Sequence, residues 1–467
     1  MKKIIVALVL FTGIASANSD IWNKLIKRNR IDYYPGIIKS LTSQGLYHTS
    51  VPYLKEYLVS SGNVKNQNFD LLVDEVVEKV GDRQFVLLPE KYLNTSNAPT
   101  IKYILAKKLL RKRRLGDART ILTSSIEKEH SMRPFATHLL GMIYSFEKKY
   151  EKSISEFNKC ISLSTSALSD DSSKLRQRQL KINRDYCRAG IARSLYAAGK
   201  YSQAELAYLD IDKSSTIWPE LLFEEAWNSY YKGDYNRTLG KLVTYRSPVL
   251  KYIFNPEIDV LNALSFYKLC LYDDASKIIE EYYKKYESET RGLGRILGRR
   301  KSDLKYYFRI AASYTQGKKS DSNIINSLLD SVLKDPAFLN LFDSYKRGKE
   351  EIDIIKRVSD RRLRKVLTTN LKDSLNLQQK LIGSYVKRTF KIAHSHLSKS
   401  FAGMSYLKLE ILSRRKDRLY SGVQDFGKRG DIAYLQRSQK QYFWNFNGEF
   451  WADELGDYVF ALKSECN

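Results

Sequence analysis

Between Pro99 and Tyr286 apolar and polar positions recur with helical spacing, and one arrangement returns five times. A small residue is followed twelve positions later by another: Ala106 and Ala118, Gly141 and Ser153, Ala192 and Ala204, Ala226 and Thr238, Ala263 and Ala275. Three places before the second of each pair stands a large residue, Leu115, Tyr150, Tyr201, Tyr235 or Tyr272. Four places after it comes an apolar one, Leu122, Phe157, Tyr208, Leu242 or Ile279. Pro99, Pro134, Pro219 and Pro256 each lie 16 residues before the large residue of their unit, at a first helical turn where a missing N–H does no harm. The pattern predicts pairs of antiparallel helices whose backbones approach at the two small residues. Such a hairpin cannot cover its own apolar face, so neighbours must stack.

On these residues the chain resembles the tetratricopeptide repeat (TPR) family, whose unit of about 34 residues carries the same small, large and small phase. Successive large residues stand 35, 51, 34 and 37 apart. Two features depart from the family pattern: its first-helix tryptophan is missing from the expected place, and the glycine before the bulky residue survives only as Gly199 and Gly233. The resemblance covers residues 99–290 and implies an all-α fold, a TPR-like helical-hairpin solenoid followed by a long-helix C-terminal region. In this family the first helices line a concave groove that holds an extended peptide or a partner helix. Carried over unit by unit, the groove positions are Tyr103, Lys107, His138, Met142, Arg193, Tyr196, Phe223, Trp227, Tyr230, Tyr267 and Lys268. Clustered aromatics suit hot-spot binding, and the basic points would select an acidic or carboxylate-ended ligand. The family geometry also places the end of one second helix near the start of the next first helix. It thereby implies a disulfide between Cys160 and Cys187, with two buried free thiols as the alternative. Cys270 falls at a turn and Cys466 beside the last residue, and four cysteines allow three pairings.

The N-terminus reads as a secretory signal peptide over 1–17: Lys2 and Lys3, an apolar run from Ile4 to Ile14, then Ala15, Ser16 and Ala17. That run is too short to span a bilayer comfortably, and no cysteine follows it to carry a lipid. The expectation is an exported protein of the bacterial periplasm, or a secreted one, where disulfides are permitted. Over 18–98 the phase weakens into atypical repeats: Ile38 and Ser50 stand twelve apart around Tyr47, and helical runs over 69–80 and 83–93 fit one further unit. A Ser- and Asp-rich insertion within 161–180 explains the 51-residue spacing, as a mobile connection or an extended helix end.

Beyond Tyr286 the phase is lost. Residues 291–350 predict a helical connector, with helices over 304–314, 324–333 and 337–345. The region 351–440 opens on a proline-free helix from Glu351 to about Tyr420, with apolar positions Leu371, Leu375, Ile382, Tyr385, Ala393, Leu397, Phe401, Met404 and Ile411 at threes and fours. Gly383 and Gly403 could bend it, so a continuous rod and a coiled-coil-like hairpin both remain open.

Charge sharpens this picture. The chain carries a net +27, of which residues 291–440 hold +20, while the last 27 residues hold −4. Arg361, Arg362, Arg364, Lys365, Lys387, Arg388, Arg414 and Arg415 crowd one region of the predicted long helix. They are either a solvated surface or a contact for a polyanion or cell-wall polymer; export disfavours nucleic acid. The tail over 441–467 is dense in aromatics: Tyr442, Phe443, Trp444, Phe446, Phe450, Trp451, Tyr458 and Phe460. It predicts a plug that docks on the preceding helix, or else an exposed anchor for a partner.

Chemistry is sparse. His394 and His396 are two apart and point to different sides of a helix, and no HExxH, GxSxG or phosphate-loop pattern occurs. Gly292, Gly294 and Gly298 follow no strand, and Asp453, Glu454 and Asp457 read as capping and solvent-facing residues. The expectation is a scaffold without catalysis, metal or cofactor, binding other envelope proteins, not transmembrane but open to peripheral association.

Overall fold

The computed structural model describes residues 31–60, 67–170, 173–421 and 447–466, with the single positions 23 and 439. The segment 1–17 and the tail residues Tyr442, Phe443, Trp444 and Phe446 lie outside the described residues. Within them the chain is all-α. The helices are α1 (Tyr34–Thr42), α2 (Tyr47–Ser60), α3 (Gln67–Val80), α4 (Arg83–Val86), α5 (Glu90–Thr95), α6 (Pro99–Arg111), α7 (Leu115–Ser124), α8 (Arg133–Phe146), α9 (Tyr150–Asp170) and α10 (Lys174–Ala197). They continue with α11 (Tyr201–Leu209), α12 (Trp218–Tyr231), α13 (Tyr235–Val243), α14 (Glu257–Lys268), α15 (Tyr272–Arg299), α16 (Leu304–Tyr314), α17 (Asn323–Lys334), α18 (Pro336–Lys356) and α19 (Arg361–Ser421).

The five predicted hairpins are α6–α7, α8–α9, α10–α11, α12–α13 and α14–α15, TPR-like in each case. All ten small residues of the repeating pairs are buried, and two pairs are joined directly. Ser153 Oγ donates to the Gly141 carbonyl at 2.8 Å and Thr238 Oγ1 to the Ala226 carbonyl at 3.4 Å. Each hairpin turns through one left-handed residue two places before its large residue: Arg113, Lys148, Gly199, Gly233 and Cys270, with φ between 59° and 81°. Glycine makes this conformation free of steric cost. At the other three turns a side chain bears the strain, which is why the family glycine was legible at only two. The N-terminal hairpin α1–α2 follows the same rule, with Gly45 at φ 76° two places before Tyr47 and Ile38 and Ser50 both fully buried. The next unit pairs α3 with two short helices, α4 and α5, because Pro89 stands at the N-cap of α5 and interrupts a single second helix.

The insertion lengthens helices: α9 runs on to Asp170 and α10 begins at Lys174. Cys160 and Cys187, both fully buried, are bonded across α9 and α10 with Cα atoms 6.3 Å apart. A second bond joins Cys270 to Cys466.

The chain forms two compact units. Among the described residues, one comprises those up to Cys187 with Leu304–Arg309 and Asp335–Tyr385; the other comprises Arg188–Asp303, Ile310–Lys334 and those from Val386 onward. The first unit has a continuous core running from Ile37 and Leu54 through Ile104 and Ile143 to Leu363 and Leu371. In the second, Trp218, Leu222, Val243 and Leu250 pack with Leu455 and Tyr458 of the tail.

Three expectations about the C-terminal half are corrected. The helix expected from Glu351 is interrupted: α18 ends at Lys356, and Asp360 starts α19 by accepting the Leu363 N–H at 2.8 Å, an N-cap that proline counting does not reveal. From there the helix is one rod of 61 residues, not a hairpin. Its buried stripe (Leu363, Leu367, Leu371, Ser374, Gln378, Ile382, Val386, Phe390, Ala393, Leu397, Ser400, Met404, Leu407, Ile411) holds the spacing of threes and fours throughout, with polar Ser374, Gln378 and Ser400 inside it. Likewise α15 runs to Arg299, past the boundary drawn at 290.

Gly383 does not interrupt the rod. Its missing side chain lets the helix lie against the start of α16: a Cβ there would stand 2.0 Å from the Leu304 carbonyl oxygen. Since the obstacle is backbone, Gly383→Ala is expected to destabilise by at least the ~1–3 kcal/mol of ordinary overpacking. Thermal unfolding checks this, and an unchanged Tm would show that the α16 backbone yields freely.

The third correction concerns the tail. Its described part docks on the repeat hairpins α12–α14 rather than on the long helix before it. Leu455 and Tyr458 fill the space between Trp218 and Val243, and Phe460 and Leu462 pack on Leu239, Leu269 and Leu271. Gly240 admits the crossing backbone, since a Cβ there would lie 1.7 Å from the Tyr458 carbonyl oxygen.

Candidate partner-binding site

In the first unit, residues of five helices, α3, α6, α8, α10 and α18, line a cavity of about 520 Å³. Tyr103 and Lys107 come from α6, Phe135 from α8, Asp74 and Glu78 from α3, and Arg176, Asn183 and Tyr186 from α10. Its wall is aromatic. Tyr103 and Phe135 meet edge to face at 6.5 Å, the Arg176 guanidinium lies 4.7 Å from the Phe135 ring centre, and Tyr186 stacks on His138 at 6.3 Å.

The charged groups around this cavity are already engaged. Lys107 pairs with Asp82, and Arg176 donates to the Ser131 carbonyl. Asp74 accepts from Thr100 and from His130 Nε2, the latter at 2.9 Å. His130 Nδ1 accepts the Met132 N–H at 3.1 Å, so Nε2 carries the proton that Asp74 receives. Glu75 receives the Tyr47 hydroxyl at 2.9 Å. Nearby, burial and the charge of Asp74 push the Asp70 carboxyl up to about 6, against the pull of His130. Burial also acts to raise Asp82, but Lys107, with Arg83 and Arg111, outweighs it and holds that carboxyl below the usual range.

His138 Nδ1 donates to Asn183 Oδ1 at 3.0 Å, while Asn183 Nδ2 donates to the Pro134 carbonyl at 3.2 Å and to Ser164 Oγ at 3.1 Å. His138 is thus a brace between α8 and α10. Met142 packs on the core of the first unit.

The remaining groove positions belong to the second unit. Tyr196, Phe223, Trp227 and Tyr230 join Tyr201, Tyr231 and Tyr235 in a run of ring contacts, with Trp227 to Tyr230 at 5.4 Å, Tyr230 to Tyr235 at 5.3 Å and Tyr201 stacked on Tyr231 at 5.7 Å. Arg193 is not an open cation: its guanidinium grips Glu224 through bonds of 2.6 to 3.1 Å and reaches Glu220 at 3.2 Å. Burial acts to lower its pKa, and Glu224 more than reverses that. Tyr267 donates to Glu410 at 3.4 Å and Lys268 is exposed. Arg193 and Lys107, the bases expected to choose an acidic ligand, are therefore neutralised by the protein's own carboxylates.

Several contributors were not foreseen. Tyr186, Gln179 and Arg176 lie on the part of α10 that the insertion lengthens, where no proline sets the phase. Phe135 directly follows Pro134, a signal that was present. Tyr231, half exposed, links two groups of rings.

The basic face is smaller than the sequence suggests. Arg415 pairs with Asp273, Lys387 donates to the Lys301 carbonyl at 2.5 Å and Arg364 to the Lys356 carbonyl at 3.5 Å. Arg414 is held charged by Tyr267. Arg361, Arg362, Lys365 and Arg388 are exposed and have no acidic partner among the described residues. Among those residues, too, no three His, Cys, Asp or Glu side chains converge on a metal position, and no helix is long and apolar enough to cross a membrane.

A scan against protein-family models finds no match, and a search of the curated proteins finds none. Among solved structures the chain is similar to the apo form of RapI, at 11% identity and a TM-score of 0.33, over 61% of this chain and 98% of that one. It is also similar to the Rap conjugation gene regulator of plasmid pLS20 in complex with the Phr* peptide, at 14% identity and a TM-score of 0.31, over 75% and 96%. A third is Naa15/Naa10 bound to HypK-THB, at 13% identity and a TM-score of 0.19, over 83% and 62%.

Proposed function

We propose that the protein is a non-catalytic, TPR-type scaffold of the bacterial envelope that holds an extended segment of a protein partner. The carrying observation is the aromatic cavity of about 520 Å³ built by successive hairpins of the first unit, with Tyr103, Phe135 and Tyr186 on its wall. Because its charged groups are paired internally, it selects for apolar and aromatic side chains more than for charge. Export is supported by the pattern of residues 1–17 and by two disulfides, which persist in oxidising compartments.

The test is capture from detergent-solubilised envelopes at low and high salt. A discrete protein retained at high salt and lost with Tyr186→Ala, by a factor of about 30 as for a hot-spot residue, supports the scaffold. Indifference to Tyr186→Ala overturns the cavity as the site. The second reading, polyanion binding, is favoured by Arg361, Arg362 and Lys365 standing unpaired together at the start of α19. It requires capture that fades steeply with salt and is lost on reversal of those three charges.

A further inference from the structure

The C-terminal segment is bound as a ligand is bound. Tyr458 and the partly buried Phe460 and Leu462, two residues apart, pack onto the helices; Val459 between the first two is exposed and Ala461 between the second two is partly buried. The backbone is held as well. Asn236 on α13 takes the Leu462 peptide group from both sides: Oδ1 accepts its N–H at 3.0 Å and Nδ2 donates to its carbonyl at 3.0 Å. The Asn236 carbonyl accepts the Phe460 N–H at 3.0 Å, and the Leu269 carbonyl accepts the Glu465 N–H at 2.8 Å. At the other end Gly456, at φ 89°, donates to Thr244 Oγ1 at 3.1 Å, and Lys213 reaches Asp457 at 2.7 Å. Main-chain bonds that any extended peptide can make, combined with pockets for alternate side chains, are a peptide-recognition arrangement.

The segment is fastened by the Cys270–Cys466 bond, and this bond differs from the other. Cys160 and Cys187 are fully buried, whereas Cys466 is exposed and Cys270 partly so. Thiol exchange needs access to a sulfur, so one disulfide is addressable and one is not.

We propose that the seat formed by Asn236, Gly240, Leu239, Leu269 and Leu271 is a peptide-binding site occupied in cis, with Cys270–Cys466 as its latch. Once the latch is opened, the seat takes in trans an extended peptide carrying an aromatic-x-aromatic-x-aliphatic pattern. This site is separate from the first-unit cavity and stands or falls without it. A dithiol opens the latch: one thiolate attacks Cys466 Sγ, the Cys270 thiolate leaves, and the second thiol resolves the mixed disulfide. Cys270 and Cys466 end as thiols, and the reagent ends as a disulfide. The covalent tether otherwise keeps the cis segment at a high effective concentration, which excludes competitors.

Two measurements on the full chain test this. Under increasing dithiothreitol, alkylation read by mass spectrometry is expected to show Cys270 and Cys466 freed before Cys160 and Cys187; simultaneous or reversed order overturns the latch. For the seat, the probe is a fluorescent synthetic peptide of residues 455–466 with Cys466→Ser. Fluorescence anisotropy is expected to show at least tenfold tighter binding to a full chain carrying Tyr458→Ala, Phe460→Ala, Leu462→Ala and Cys466→Ser, which empties the seat, than to the oxidised wild type. Adding Asn236→Ala is expected to abolish that binding, and Asn236→Asp, which keeps shape and acceptor but loses the donor, to weaken it. Circular dichroism on each variant confirms the fold. Equal binding to oxidised and emptied chains, binding indifferent to Asn236, or no binding to the emptied chain overturns the site.

Discussion

Lys241→Ala is expected to destabilise the protein by about 3–5 kcal/mol, the range found when one member of a buried ion pair is removed. Lys241 and Glu225 face each other from α13 and α12 with side chains only 4% and 8% exposed, and the Lys241 ammonium also reaches the Gly456 carbonyl at 3.5 Å. Burial already pushes the Glu225 carboxyl up, against the pull of Lys241. Without the ammonium it rises further and the folded state takes up a proton. A folded pKa above the unfolded one gives a contribution that is present below the unfolded value and is lost as pH rises. The deficit of Lys241→Ala relative to wild type should therefore be smallest near the unfolded carboxylate value and grow with pH, by at most about 1.4 kcal/mol per unit. Urea unfolding at about pH 5 and about pH 8 reads it, and the Glu225→Gln, Lys241→Met double variant should recover most of the loss. A deficit that is the same at both pH values, or a double variant no better than the single, would remove this account.

That pair also shows what was and was not legible in the sequence. The hairpins were legible because close approach of two helices admits only small residues, so Ala106 with Ala118 or Ala263 with Ala275 marks a crossing whatever surrounds it. The turn residues were half legible: Gly199 and Gly233 advertise a left-handed conformation, while Arg113, Lys148 and Cys270 adopt it under constraint from the packed helices. The stripe of α19 was legible as a period, but the break before it was not, since Asp360 reads as one more surface charge until it is seen capping a helix. Least legible were contacts far apart along the chain. Nothing local to Asn236 says that it will grip Leu462, and nothing local to Glu225 says that Lys241, sixteen residues on, will meet it inside the protein. The groove carried over from repeat phase includes Tyr103 and Lys107, which line the cavity, and omits Tyr186, which lines it too, because the phase is broken where the insertion lengthens α10. It also treated Arg193 and Lys107 as open charges, since the carboxylates that pair with them stand elsewhere along the chain, Glu224 on α12 and Asp82 in the turn before α4.

Glu351 makes the same point with a sharper experimental signature. Its carboxylate, 4% exposed, accepts the His48 N–H at 2.6 Å, the Thr49 N–H at 2.9 Å and the Thr49 hydroxyl at 2.7 Å. It thereby caps the first turn of α2 from α18. Glu351→Ala strands two buried N–H groups and a hydroxyl, an expected loss of about 3 kcal/mol or more. The pH dependence follows from two groups of opposite sign. Burial pushes Glu351 up to about 7, the three donors holding it from rising further. Burial lowers His48 to about 4, where Nε2 donates to Ser344 Oγ at 3.2 Å and Nδ1 accepts from Ser374 Oγ at 3.2 Å. The raised carboxyl gives stability that is lost as pH climbs from about 4.5 to about 7; the lowered imidazole gives stability that is lost as pH falls from about 6.5 to about 4. Across the overlap the two slopes oppose, so the wild type should show little change from this site. Glu351→Gln deletes only the falling limb. Its unfolding free energy should climb relative to wild type by about 3 kcal/mol between about pH 4.5 and about pH 7, measured by urea unfolding over that range. Parallel curves would mean that Glu351 is ionised in the folded protein throughout, with the helix end, and not burial, setting its charge.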